Sequence, residues 1–341
     1  VAVGLTVAPA AAITAEATSP PRGTSRPRRG RRGLLRLASF LITVVLATFI
    51  SFVLIKLVPG DPATAIAGEN ATAEQLAELR HKLGLDNGLF QQYWHWASRA
   101  LHGDFGISLY TGQRVSSMVA QRLPITVELV VYATLLSLVI GVPLGVIAAM
   151  RRGKLADRVL TGLSSLGVAI PNFWLGMVLV TLFALTFTWF PATGFTGISS
   201  GPLAFLKATT LPAVTLAAAG IAEVARQLRS ALIEIFASDY MRTSRARGLP
   251  RRTMIWRHAF PNAGVTMLTI VGLLVSRMLS ATVVVETVFA IPGIGSLVVD
   301  AVKQRDYPVL QAVVFVLAVI VLLVNGVVDV LYRRIDPRIE A

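Results

Sequence analysis

Cysteine is absent from the 341 residues, so disulfides, thiolate metal sites and cysteine nucleophiles are excluded. Histidine is scarce. The four residues His81, His95, His102 and His258 show no metal-ligand spacing. No GxxxxGK[ST] run occurs, so the chain carries no P-loop of its own. Charge is also thin: Asp, Glu, Lys and Arg together make 15%, against roughly 25% in an ordinary soluble domain. What fills the space is apolar, at 54% of residues, with a mean hydropathy of +0.67. The net charge of +14 invites a nucleic-acid reading. The basic residues, however, sit between apolar runs, and that placement argues against one.

A bilayer core takes about 20 apolar residues per helix. Residues 37–55 are uncharged and end at Lys56, placing a first span at 34–58. Residues 129–150 form a second run, giving a span at 125–150. The charge-free stretch 160–206 is too long for one helix. Pro171-Asn172 and Trp189 to Gly194 bracket a third span at 167–190. Residues 208–222 are short for a span and read as a helix that crosses and runs on to 236. Residues 263–285 are apolar except for Arg277, giving a fifth span at 263–288; residues 307–328 give a sixth at 307–332. The expected class is all-α, integral to a membrane, with six spans.

Lys and Arg concentrate on the cytoplasmic side of membrane proteins. Here 22 of the 32 fall in four places: the tail 1–33 with Arg36, the second-to-third loop, the fourth-to-fifth loop and the end at 333–341. The long 59–124 segment holds five basic and six acidic residues. Both termini are therefore expected in the cytoplasm of a cell-membrane protein, and 59–124 outside. Residues 1–33 are Ala/Pro/Thr-rich and then Arg/Pro-rich, a composition expected to be disordered. Residues 1–15 hold an apolar run of small residues but lack a basic leader, and the arginines after them oppose export. Within 59–124, residues 72–83 and 91–101 have helical apolar spacing and predict a helical cap on the outer face. Trp94 and Trp96 are read there as interfacial anchors rather than ligand contacts.

The fourth-to-fifth loop, 239–262, is the most informative stretch. Gly248 suits a helix C-terminus, Pro250 the first turn of the next helix, and Pro261 ends or kinks that helix. The order is helix, Gly-Leu-Pro turn, short basic helix and re-entry, which makes a docking knuckle rather than a plain basic loop.

This loop resembles the EAA loop of ABC importer permeases, Glu-Ala-Ala-x3-Gly-x9-Ile-x-Leu-Pro. Gly248, Phe260 and Pro261 fall at its Gly, Leu and Pro; Arg242, Thr243 and Ser244 at Glu-Ala-Ala; His258 at Ile. Asp239, Tyr240, Arg242, Thr243, Arg245, Ala246, Gly248 and Leu249 match the peptide/nickel branch, with Ser244 and Arg247 as mild departures. The resemblance extends over 34–341. It includes Pro59-Gly60-Asp61-Pro62, Gly103-Asp104-Phe105-Gly106-x-Ser108, Ile170-Pro171-Asn172-Phe173-Trp174, the run from Glu286 to Gly295, and Arg305-Asp306-Tyr307-Pro308. The long 59–124 segment is similar to that of the first, B-type permease of dipeptide and oligopeptide systems.

The resemblance implies a type I ABC importer permease fold and no catalysis on this chain. It implies a second permease subunit, two cytoplasmic ATPases carrying ATP and Mg, an external substrate-binding protein and a lipid bilayer as partners, with no nucleic acid. The coupling loop would consist of Asp239, Tyr240, Arg242, Thr243, Ser244, Ala246, Gly248, Leu249, Arg251, Arg252, His258, Phe260 and Pro261. The implied cargo is a di- or oligopeptide; nickel chelates, glutathione and other small solutes stay open. A secondary transporter would show inverted repeats or mid-span acids, and a membrane scaffold would not need the knuckle. Arg277, with Ser280 and Glu286, is the candidate translocation path. For Arg277 a pore-facing polar stripe and a buried interhelical contact both fit. Glu128 and Glu286 read as interfacial, and Gly141-x3-Gly145 as a close helix contact.

Overall fold

An apolar run in hydrocarbon must close its own backbone hydrogen bonds, which leaves helices as the economical solution. The computed structural model describes residues 38, 41–53, 62–67, 71–82 and 84–335, and among them there are helices and no strand. The expected tail 1–33, most of 333–341 and much of the first span fall outside the described residues. The chain divides into units Val1–Ile42 and Thr43–Ala341, and the helix bundle lies within the second.

In chain order the helices are α1 (Leu41–Val53), α2 (Pro62–Ala67), α3 (Ala73–Lys82), α4 (Leu89–Leu101), α5 (Val115–Met150) and α6 (Leu155–Ala169). Then come α7 (Asn172–Thr186), α8 (Pro202–Ala237), α9 (Asp239–Ala246), α10 (Arg251–Val288), α11 (Ile294–Gln304) and α12 (Tyr307–Ile335). Four of them, α5, α8, α10 and α12, are long and apolar enough to cross a membrane, and the pair α6–α7 makes a fifth if it counts as one span. The described residues thus hold four or five spans where six were expected, and α1 is a shorter apolar helix.

Three boundaries differ from expectation for physical reasons. Helix α5 starts at Val115, not 125, because Pro124 sits inside it without ending it. The third span does not begin at 167. The chain bends by 100° between α6 and α7, at Ile170-Pro171, where proline disfavours a helical residue before it. Helix α8 begins at Pro202, and at 36 residues it is about 54 Å long. That exceeds a hydrocarbon core of about 30 Å, so α8 carries its own extension beyond the slab.

The core lies between α5, α8 and α10, around Leu129, Ala133, Leu216, Val224, Leu274 and Phe289. Gly141 and Gly145 let α5 and α8 touch: a Cβ on Gly145 would sit 2.8 Å from the Ala225 carbonyl oxygen. On the far side of α5, Val131, Leu135 and Val139 are exposed four residues apart. That is an exposed apolar stripe, inverted relative to a soluble helix and suited to lipid or to another apolar subunit face.

The segment between α1 and α5 is built from local caps. Thr72 and Gln75 exchange hydrogen bonds, Gln75 N–H to Thr72 Oγ1 at 3.3 Å and Thr72 N–H to Gln75 Oε1 at 3.0 Å. This is a reciprocal cap at the start of α3. The Gly106 N–H and the Arg99 guanidinium hold the Asp104 carboxyl below the usual carboxylate range. The Ser108 hydroxyl donates to Asp306, and Leu109 N–H reaches Asp306 Oδ1 at 3.2 Å. Two motifs some 200 residues apart in sequence are thus joined. Trp94 is 72% exposed, as an anchor would be. Trp96 turns inward against Phe52, Tyr93 and Phe315, so the anchor reading fails for it.

Candidate functional site

The 239–262 loop is folded by its own sequence. Ser238 has an extended backbone, and α9 starts directly after it. Met241 and Ser244 face inward, one turn apart. At the far end, Gly248 N–H donates to Arg245 O at 2.9 Å and Leu249 N–H to Ser244 O at 3.4 Å. These two bonds close a Schellman motif, which needs a left-handed residue. Gly248 supplies it at φ +73°. A side chain there would meet nothing within 4 Å, so the glycine answers a backbone need and not a packing one.

Pro250 is extended and precedes α10, one position earlier than its expected place in the first turn. The larger correction concerns Pro261. It neither ends the helix nor separates the knuckle from the span: α10 runs from Arg251 through to Val288. The turn before it, Met254–Ala259, is π-helical. A π turn and a proline are both places where a long helix can bend while continuing. The basic segment is therefore the first part of a spanning helix.

An apolar cluster anchors the loop. Met241, Met254, Ile255, Ala259 and Ala263 pack with Val146 and Ala149 of α5 and with Leu228 and Leu232 of α8. Leu249 and Phe260 close over it, half-buried. His258 meets the Tyr240 ring edge-on at 5.9 Å. The opposite face is open: Arg242, Arg245, Arg247, Arg251, Arg252 and Arg257 are exposed, with Thr243, Ala246, Gly248 and Pro261 among them. Asp239 offsets one of these charges, 3.3 Å from Arg242. The result is a strongly cationic platform on an apolar base.

The intramembrane candidates separate. Arg277 and Ser280 are exposed on one stripe of α10. The Arg277 guanidinium pairs with Glu223 of α8 while staying 63% exposed, so the contact is interhelical but not the buried one that was the alternative to a pore-facing stripe. Glu286 does not belong with them. Nine residues at about 100° each put it on the opposite side of α10. It is fully buried, accepting from Thr126 Oγ1 at 2.7 Å and Ser296 N–H at 2.9 Å. Thr126 Oγ1 in turn accepts from Ile294 N–H at 2.8 Å. Glu286 thus caps the N-terminus of α11 and ties it to α5 and α10. Expected together with Arg277 and Ser280, Glu286 is instead buried away from their exposed stripe. It also explains Gly293, since a Cβ there would land on the Glu286 carboxylate.

Sequence reasoning missed Glu223, taken as the end of an apolar run, and the bidentate Asp157–Arg229 bridge between α6 and α8. The signal for Glu223 was its spacing to Gln227, whose Nε2 donates to it at 2.8 Å along α8.

An all-helical bundle with apolar spans and an ordered basic loop leading into a spanning helix defines a multi-pass membrane permease with the type I ABC importer fold. The chain belongs to the family of binding-protein-dependent transport system inner membrane components, which matches residues 141–341; the N-terminal part of that family matches 32–130. A probable peptide ABC transporter permease of Sinorhizobium fredii is 42% identical over 90% of this chain and 98% of its own. A putative peptide transport system permease of Brucella abortus is 38% identical over the same shares. The glutathione transport system permease GsiC of Escherichia coli is 36% identical over 89% and 97%. Among solved structures, an inward-facing MetNI methionine ABC transporter chain matches 64% of this chain and 96% of its own. The TM-score is 0.55 at 17% identity, a likeness of fold.

Proposed function

We propose that this chain is one of two permease subunits of an ATP-driven importer of short peptides. Two cytoplasmic ATPases, which hold the ATP and Mg, dock on the 239–262 platform. An external binding protein delivers the peptide on the side of residues 59–124, and both termini are cytoplasmic. The chain itself has no catalytic step. The observation that carries this reading is the continuity of α10. A body pressing on Arg251–Ala259 moves the start of a helix that runs on to Val288. ATPase closure then becomes tilt of a spanning helix, a two-state change driven by differential contacts. The six exposed arginines favour an acidic docking groove.

The peptide reading is supported by the two relatives named for peptide transport. Glutathione is the second reading, favoured by the third relative, and it shares the free carboxylates of a peptide. The test is uptake into proteoliposomes that hold the four membrane-associated subunits with the binding protein outside. ATP-dependent uptake of a di- to pentapeptide pool is expected, with glutathione as competitor. Uptake without ATP would point to a secondary transporter, and no uptake with no ATPase bound would point to a scaffold.

A further inference from the structure

The exposed stripe of α10 is Leu273, Arg277, Ser280, Val284 and Thr287, at successive steps of four and three residues. Three of its five members are polar. The stripe on α5, Val131, Leu135 and Val139, is by contrast wholly apolar. Eleven residues separate Arg277 from the end of α10 at Val288, about 16 Å along the axis, or half the thickness of a hydrocarbon core. A guanidinium that is 63% exposed at that depth is too costly against lipid. In the assembled protein this face suits water, polar solute or polar groups of the second permease better than lipid.

The guanidinium is also only partly used. Glu223 takes one nitrogen, Nη1, and no other partner of Arg277 occurs among the described residues. The other edge of the fork, Nε with Nη2, stays open. That edge matches a carboxylate in bidentate fashion. Glu223 is itself fixed, 15% exposed and held by Gln227 at 2.8 Å. It orients Arg277 and offsets its charge between visits. We infer that Arg277 is a transit contact for the carboxylate end of the solute, with Glu223 as its positioning residue. The inference rests on the peptide-importer reading. A zwitterionic peptide needs a partner for its carboxylate wherever the passage is narrow and poorly hydrated, and this is the exposed cation at mid-depth.

The experiment uses the complete transporter with its binding protein and a pool of di- to pentapeptides with uncharged side chains, read by mass spectrometry. Arg277→Gln should lower uptake at least tenfold. ATPase co-purification and the hydrolysis stimulated by loaded binding protein should stay at wild-type levels. Arg277→Lys keeps the charge without the fork and should fall between. The double variant Arg277→Gln/Glu223→Gln leaves no lone charge and should stay as impaired as Arg277→Gln. Recovery of uptake in the double variant would make the pair a structural clasp and overturn the inference. So would full uptake by Arg277→Gln, or loss of stimulated hydrolysis along with uptake in the double variant. A wild type that takes up no peptide would instead refute the parent reading, and that arm is scored first.

Discussion

Gly248 allows the sharpest test, because its backbone and its surroundings make separate demands. At φ +73° any residue with a Cβ pays about 1 kcal/mol or more. That lowers the population of the closed turn about fivefold at RT of about 0.6 kcal/mol. Nothing within 4 Å obstructs a new side chain, so the fold of the chain itself should hold. Gly248→Asp adds bulk and a negative charge at the centre of the arginine platform. The expected outcome is normal expression and insertion, weaker co-purification of ATPases and collapse of uptake. On the proposed assembly, binding-protein affinity for the cargo should not change, because that site would lie on another chain. Gly248→Asn carries much the same backbone cost as Gly248→Asp, since both side chains enter the left-handed region, but adds no charge, so it should retain more coupling. The platform should also weaken with salt, through Arg242, Arg251 and Arg252. The assays are subunit co-purification and reconstituted uptake. Full uptake by Gly248→Asp at normal expression would reduce the loop to a plain basic connection and refute the coupling argument.

Other consequences follow from the packing. Arg229→Ala would leave the Asp157 side chain, 6% exposed, without its bidentate partner, at a cost of about 3 kcal/mol in thermal stability in detergent. Arg229→Lys should recover only part of that, since an ammonium cannot make the fork. Gly293→Ala must displace the Glu286 carboxylate from the start of α11 and should cost about 2 kcal/mol, read in the same melt. The absence of cysteine allows single-cysteine labelling without background. Positions between 70 and 110 should label from outside and those between 240 and 262 only from inside; external labelling near Gly248 would overturn the orientation.

Several features of the candidate site were legible because their causes are local. The Gly248-Leu249-Pro250 turn answers to backbone conformations that only a few residues favour, and the Thr72–Gln75 cap to a spacing of three. The apolar runs mark spans because transfer into hydrocarbon depends on composition, whatever the neighbours are. Boundaries were less legible. A proline marks a break only when the preceding turn cannot absorb it, so Pro171 bends the chain by 100° while Pro124 and Pro261 lie within helices.

What the amino-acid order alone determined is therefore the helical class, most of the apolar runs and the internal form of the loop. The tertiary structure decided where the charges go. Glu286 looked like an end-of-span residue and is a buried cap. Glu223 looked like a boundary and is the partner of Arg277. Asp157 finds Arg229, and Asp306 finds Ser108. Arg277, Arg229, Thr126 and Ser108 lie from 54 to 198 residues from their carboxylates, and only the Ser296 N–H, ten residues from Glu286, is near in sequence. The free energy of a buried charge depends on which group of opposite sign or which helix end packing brings within reach, and no local pattern encodes that.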